Sequence, residues 1–156
     1  MSKIFPIVPA SDKTLWLTGG IAFILVLLLV FVIGIFGYAI YSSRHVKLEL
    51  SPEKLHIRGD LYGRIIPTES LVIEEAKRVT LSKGQPYAPR WRQNGIGLPG
   101  YLSGWFKLRN GEKALLFVTD SQKVVYIPTK EDYAVLFSVE EPEIFLQSLH
   151  EISNNI

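Results

Sequence analysis

The side chains of this chain that could do chemistry are few, and most are scattered. The histidines are His45, His56 and His150. The first two fall on strand-like segments and the third on a helix surface, and none has metal-ligand spacing with a second ligand. Ser103 lies in Gly100-Tyr101-Leu102-Ser103-Gly104, which is not the nucleophile-elbow pattern. The acid pairs Glu74-Glu75 and Glu140-Glu141 are sequence neighbours, so their carboxylates point apart rather than converge. There is no cysteine, which removes thiol catalysis, disulfides, Cys-based zinc sites and iron–sulfur clusters. A thiol-free chain suits either redox compartment. We therefore expect no catalytic, cofactor-binding or metal-binding residues, no cofactor and no enzymatic activity.

Two local patterns remain. Gly95-x-Gly97-x-x-Gly100 matches the dinucleotide fingerprint letter for letter, with Asp120 about 20 residues further on. Its context is wrong, because the fingerprint needs a buried strand before it and a helix after it. Here polar Arg92-Gln93-Asn94 precedes, Pro99 interrupts, and a strand-like segment follows. The glycines read instead as a loop with tight backbone geometry. The second pattern is Arg90-Trp91-Arg92 with Asn94. Lys83 to Gly100 carries no secondary-structure signal, and structureless loops this long are often functional. Two guanidiniums around an indole suit lipid phosphates and the membrane interface. Alternatively Trp91 packs on the domain and the arginines are solvated or paired, the favoured outcome for one such pattern. Arg90, Trp91, Arg92 and Asn94 are the candidate binding loop.

Charge adds a polarity along the chain. The formal net charge is +2, too balanced to argue for nucleic acid. Lys77, Arg78, Lys83, Arg90, Arg92, Lys107, Arg109 and Lys113 share their stretch with one acid, Glu112. Glu131, Asp132, Glu140, Glu141, Glu143 and Glu151 follow with no base among them. Kept on separate faces, the bases could meet anionic headgroups. Paired across the domain, they would contribute little, about 0–1 kcal/mol per surface pair.

The elements that must position these residues begin with a membrane segment. No charge occurs between Lys13 and Arg44, and Ile21 to Ile40 is wholly apolar, Gly or Tyr. About 20 such residues cross a ~30 Å hydrocarbon core, and the run exceeds the apolar core of a signal peptide. Trp16 at one end and Tyr38 and Tyr41 at the other suit the interfaces. Lys3 and Lys13 precede the run, while Arg44, Lys47, Lys54 and Arg58 follow it, so the positive-inside tendency leans to a cytoplasmic soluble domain in the cell membrane.

The rest alternates in the strand period. His45 to Leu50 and Lys54 to Arg58 read as a hairpin about Ser51-Pro52-Glu53. Leu61 to Ile66 and Val79 to Leu81 read as short strands. Tyr101 to Leu108, Ala114 to Val118, Val124 to Ile127 and Tyr133 to Phe137 are clearer, with a hairpin signal at Asn110-Gly111. Phe145, Leu146, Leu149 and Ile152 share one helical face, with Glu141 as N-cap before Pro142. About seven strands and a terminal helix predict an antiparallel barrel or sandwich.

Several runs carry a resemblance: Pro89 to Tyr101, Gly104-Trp105-Phe106, Asn110-Gly111, Ala114 to Thr119, Val124 to Thr129, and Ser138, Pro142-Glu143 and Phe145. Together they resemble the bacterial pleckstrin-homology (PH) domain families with an N-terminal membrane helix, over roughly Leu48 to Leu149. The resemblance implies a mostly β, PH-like barrel with a C-terminal α-helix and brings no catalytic residues. The expected organisation is a tail at 1–14, a transmembrane helix at 15–41, a PH-like domain at 44–152 and a tail at 153–156. The expected function is a membrane-anchored, non-enzymatic module that binds a protein partner or a lipid headgroup near the bilayer; the alternative is a self-assembling scaffold subunit of a membrane complex, and an enzyme or small-ligand-processing protein is the least expected. Its partners would be the lipid bilayer and either a protein partner or a second copy of itself, not nucleic acid.

Overall fold

The computed structural model describes residues 12–154, so the expected terminal tails lie largely outside the described residues. The chain divides after Tyr38 into two units.

The first unit is the bulk of α1 (Asp12–His45). Leucine, isoleucine, valine and phenylalanine dominate it, and no proline interrupts it. Its apolar side chains are exposed on every side, as Phe23, Leu27 and Phe31 show. A helix apolar all round suits burial in a large core or in hydrocarbon, and in hydrocarbon internal hydrogen bonds satisfy the backbone of a helix. The stretch Leu15–Ser42 has 28 residues, and an 18-residue window within it has a mean hydropathy of 3.0. At 1.5 Å per residue that is about 42 Å, enough for the ~30 Å core. This is a helix long and apolar enough to cross a membrane, a test that a signal sequence also passes.

The helix runs past the expected end at 41. Ser42 and Ser43, beyond that end, are helical. The Tyr41 and His45 rings stack at 4.1 Å, one turn apart, and His45 Nδ1 lies 2.7 Å from the Tyr41 carbonyl oxygen. Ala39 and Ser42 are buried within the second unit, so the helix's last turns are part of the folded domain.

Among the described residues that domain has nine strands in two sheets, against the seven or so expected, followed by α2 (Pro142–Asn154). The smaller sheet is the antiparallel meander β1 (Lys47–Leu50), β2 (Lys54–Arg58) and β3 (Ile65–Pro67). Its first hairpin pairs Lys47 with Arg58 and Leu50 with Leu55. The expected strand at Leu61 to Ile66 shrinks to β3, because Asp60 builds a turn. Its Oδ1 accepts the Tyr62 N–H at 2.9 Å, and its carbonyl accepts the Gly63 N–H at 3.1 Å. An Asx side chain that binds backbone in this way competes with strand pairing.

The larger sheet holds β4 (Lys77–Val79), β5 (Pro89–Leu98), β6 (Tyr101–Leu108), β7 (Lys113–Val118), β8 (Val124–Pro128) and β9 (Ala134–Ser138). Its order is β4-β8-β9-β7-β6-β5. All neighbours are antiparallel except β7 and β9, which run parallel. The Asn110-Gly111 signal makes a three-residue turn rather than a two-residue one. Leu108 N–H bonds the Glu112 carbonyl at 2.8 Å, with Gly111 alone at positive φ.

Continuous apolar runs such as Ala114 to Val118 arise because this sheet is covered on both faces. Leu115, Phe117, Val125, Val135 and Phe137 face a core shared with Leu55, Ile57 and Ile66 of the small sheet and Leu149 of α2. Their alternates Leu116, Val124 and Leu136 face a second core with Val79, Leu81 and Leu108. Phe145 meets Phe137 edge-on at 5.1 Å. Pro142 opens α2, and the Phe145 N–H bonds the Glu141 carbonyl at 3.1 Å, as expected of an N-cap at Glu141. Ser138, at the end of β9, ties down the turn after β7: its Oγ accepts the Thr119 and Asp120 N–H groups and donates to the Asp120 carbonyl.

Candidate functional site: a bulged edge strand

The candidate binding loop is not a loop. Arg90, Trp91, Arg92 and Asn94 lie on β5, the strand at one edge of the large sheet. Pairing with β6 makes it a strand, through a tight turn at Pro99-Gly100 that sets Leu98 opposite Tyr101. Proline followed by a glycine at φ 77° has the type II turn signature. Further along, Gly95 faces Gly104. A Cβ built on Gly95 would strike the Ser103 carbonyl oxygen, and one on Gly104 would strike Asn94 and Gly95 backbone. The strands approach so closely there that neither position admits a side chain. The fingerprint glycines thus serve a strand and its turn, and a strand rather than a helix follows them.

Two register shifts hid this strand from a period-two reading. They fall between Pro89 and Trp91 and between Arg92 and Asn94. Each is a bulge, which re-aims side chains and interrupts the ladder. Arg90, Trp91 and Arg92 are all exposed, Trp91 at 64%. The reading in which Trp91 packs on the domain is therefore corrected: an edge strand offers the indole no covering layer. A shallow pocket of about 350 Å³ is lined by Pro89, Arg90, Trp91, Arg92, Gly97 and Phe106. A Cβ on Gly97 would come 3.7 Å from the Phe106 ring and 3.9 Å from Arg92 Cδ, so glycine keeps the pocket open. Asn94 stands beyond the second bulge and outside this pocket, with its Oδ1 accepting the Tyr62 hydroxyl at 3.0 Å. A larger groove, about 680 Å³, passes Glu53, Glu69, Ile73 and Lys130 and includes none of these residues.

The basic block is used unevenly. Arg78 pairs with Glu143 at 2.5 Å, and this hydrogen bond holds the Glu143 carboxyl below its ordinary range. Lys77 lies over the rings of Tyr87 and Tyr126, at 5.0 and 5.4 Å. Lys113 and Arg64 lie over Trp105, at 4.4 and 5.0 Å. Among the described residues, Arg90 and Arg92 have no carboxylate within ion-pair distance. Among the described residues, the basic block meets the helix acids at Arg78–Glu143. The histidines remain apart, His56 Nδ1 standing 3.6 Å from Glu49 and His150 Nδ1 2.7 Å from the Leu146 carbonyl.

One constellation had no expectation attached to it. Asp60 gathers Ser42, Tyr101 and Ser103. Ser103 Oγ donates to Asp60 Oδ1 at 2.6 Å, and the Tyr101 hydroxyl bonds Oδ2. Ser42 Oγ lies 3.1 Å from both the Gly59 carbonyl and Asp60 Oδ2 and 2.8 Å from the Tyr101 hydroxyl. The hydroxyl protons of Ser103, Tyr101 and Ser42 can go to Oδ1, Oδ2 and the Gly59 carbonyl respectively, which satisfies every group. Burial, then the Asp60 carboxylate, pushes the Tyr101 phenol up to about 12. With both serines fully buried, this network holds structure together rather than meeting a substrate. Its members lie up to 61 positions apart in sequence, so no local spacing pointed to it.

Two sheets closed by a C-terminal helix, behind an N-terminal apolar helix, define a PH-like fold. Residues 46–152 match the family model described as bacterial PH domain, and the chain belongs to that family. No curated protein and no solved structure matches it.

Proposed function

We propose that this protein is a non-enzymatic, membrane-anchored module that captures an acidic segment of a protein partner at the Arg90–Trp91–Arg92 pocket. The observation that carries the reading is the exposed indole between two arginines without carboxylate partners, on a bulged edge strand. Bulges and edge charges hinder the addition of a foreign strand, which favours recognition by side chains. Aromatic and arginine anchors supply most of the energy of typical interfaces, and guanidiniums suit carboxylates through paired hydrogen bonds. An anchored partner meets the pocket at high effective concentration, so weak contacts suffice. Lys47, Lys54 and Arg58 soon after the helix support a cytoplasmic domain.

The test is a photo-crosslinking amino acid at position 91 of the full chain in cells, with position 144 on α2 as the control site. A discrete adduct at 91, lost in the Arg90→Glu/Arg92→Glu variant and absent at 144, is expected. Equal crosslinking at both sites, or an adduct indifferent to the charge reversal, overturns the reading. Against the isolated partner, Trp91→Ala should weaken binding by about 2 kcal/mol, roughly 30-fold.

A further inference from the structure

The second unit exposes a different kind of surface where the apolar run ends. Ser42 closes that run, and its hydroxyl reaches Gly59 and Asp60 in the β2–β3 connection. The loop's backbone is pressed on the helix end, since a Cβ on Gly59 would strike the His45 carbonyl oxygen. Asp60 is held by two hydroxyls and by the Tyr62 N–H. The loop is therefore pinned, yet its next residue, Leu61, is 72% exposed. Tyr41, the chain neighbour of Ser42, is 60% exposed. A fixed loop that displays a leucine beside the end of an apolar helix needs a reason that slack packing does not supply.

Charge on the same segments points to the occupant. The pairing of Lys47 with Arg58 brings β1, just after the helix, beside the base of this loop. Lys47, Arg58 and Arg64 are all exposed. The acids there are already engaged, Asp60 in the hydroxyl network and Glu49 with Arg58 at 2.9 Å. An exposed leucine and tyrosine flanked by bases, with no acid left over, complement an anionic lipid surface.

We propose that the Gly59–Gly63 loop is a membrane-contact element. Leu61 enters the interfacial layer of the bilayer that α1 crosses, and Lys47 lies among anionic headgroups. The buried Ser42–Asp60–Tyr101–Ser103 network is what holds the leucine there. The inference rests on α1 as a membrane span and is independent of the Arg90–Trp91–Arg92 pocket.

The absence of cysteine makes the test direct. Leu61→Cys, Ile144→Cys and Val26→Cys are introduced singly into the full chain and labelled with an environment-sensitive fluorophore. Each is reconstituted into phosphatidylethanolamine/phosphatidylglycerol vesicles that carry nitroxide lipids at shallow or deep positions. The expected result is blue-shifted emission at 61 that shallow nitroxides quench, deep quenching at 26, and water-like unquenched emission at 144. Water-like emission at 61 with 26 still quenched overturns the loop proposal and leaves the anchor standing. Water-like emission at 26 overturns both. Replacing phosphatidylglycerol with phosphatidylcholine should shift the emission at 61 toward red; an unchanged spectrum removes the electrostatic part.

Discussion

At the scale of single residues, the division is between groups that are satisfied and groups left open. Asp60 accepts two hydroxyls and an N–H, so its charge is spent on structure, whereas Arg90 and Arg92 keep theirs. Tyr101 makes this measurable. Its folded pKa, about 12, lies above the ordinary value of 10, so the fold favours the neutral phenol. That contribution is complete below pH 10 and is lost as pH rises from about 10 to about 12. Thermal melts of the detergent-solubilised chain should show stability falling across that window, with a shallower fall in Tyr101→Phe; identical slopes would remove the network from the account. At neutral pH the same substitution leaves Asp60 short of a donor and should cost about 1–3 kcal/mol. Glu143 behaves in the opposite sense. Its lowered pKa means the contribution of its pair with Arg78 is present above the ordinary carboxylate range and lost as pH falls through the folded value. Because the pair is exposed, Glu143→Gln should barely move the neutral-pH melting temperature in high salt.

Elements show the same economy of position. The β5–β6 hairpin depends on Gly95 facing Gly104, where a methyl group has no room. Gly100 sits at positive φ in open space, so alanine there meets backbone strain alone. Denaturant titrations should rank Gly95→Ala, at about 2–3 kcal/mol, above Gly100→Ala, at about 1–2 kcal/mol; the reverse order would contradict the close crossing. In α2, Leu149 is fully buried against the shared core, and Leu149→Ala should cost about 2–5 kcal/mol. The strand that carries the pocket was the least legible element. Arg92-Gln93-Asn94 break any apolar alternation, and the two bulges shift the period within one strand. By contrast β7, β8 and β9 stood out because burial on both faces fills them with apolar residues.

For the whole molecule, the apolar helix and the PH-like domain are parts of one continuous chain with no linker. The helix that ends at His45 is followed by β1 at Lys47. If α1 is retained as an anchor, the membrane-extracted protein should have an intact mass near 17.6 kDa and resist release by high salt or alkaline carbonate. A mature mass short of the N-terminal run would show a cleaved signal instead. Protease added to intact cells and to inverted vesicles reports the side of the domain, with digestion expected in the inverted vesicles only. The two proposed surfaces lie along different parts of β5. Asp60 bonds Tyr101 and Ser103 and Tyr62 bonds Asn94, so the Gly59–Gly63 loop lies beside the part of β5 after its second bulge, whereas Trp91 lies before that bulge.

The sequence by itself determined the membrane-length helix, the amphipathic α2 and most of the apolar strands. These follow from local rules of period, length and capping that each segment carries alone. It also determined the family, through runs spread over nearly the whole soluble part. Tertiary structure decided what became of the chemistry-bearing residues. Arg90, Trp91 and Arg92 became an open pocket because a partner strand, not their own pattern, holds their backbone extended at the sheet edge. Asp60 became the centre of a buried network because folding brought Ser42, Tyr101 and Ser103 to it from distant positions, and no spacing rule encodes a meeting made by three different elements.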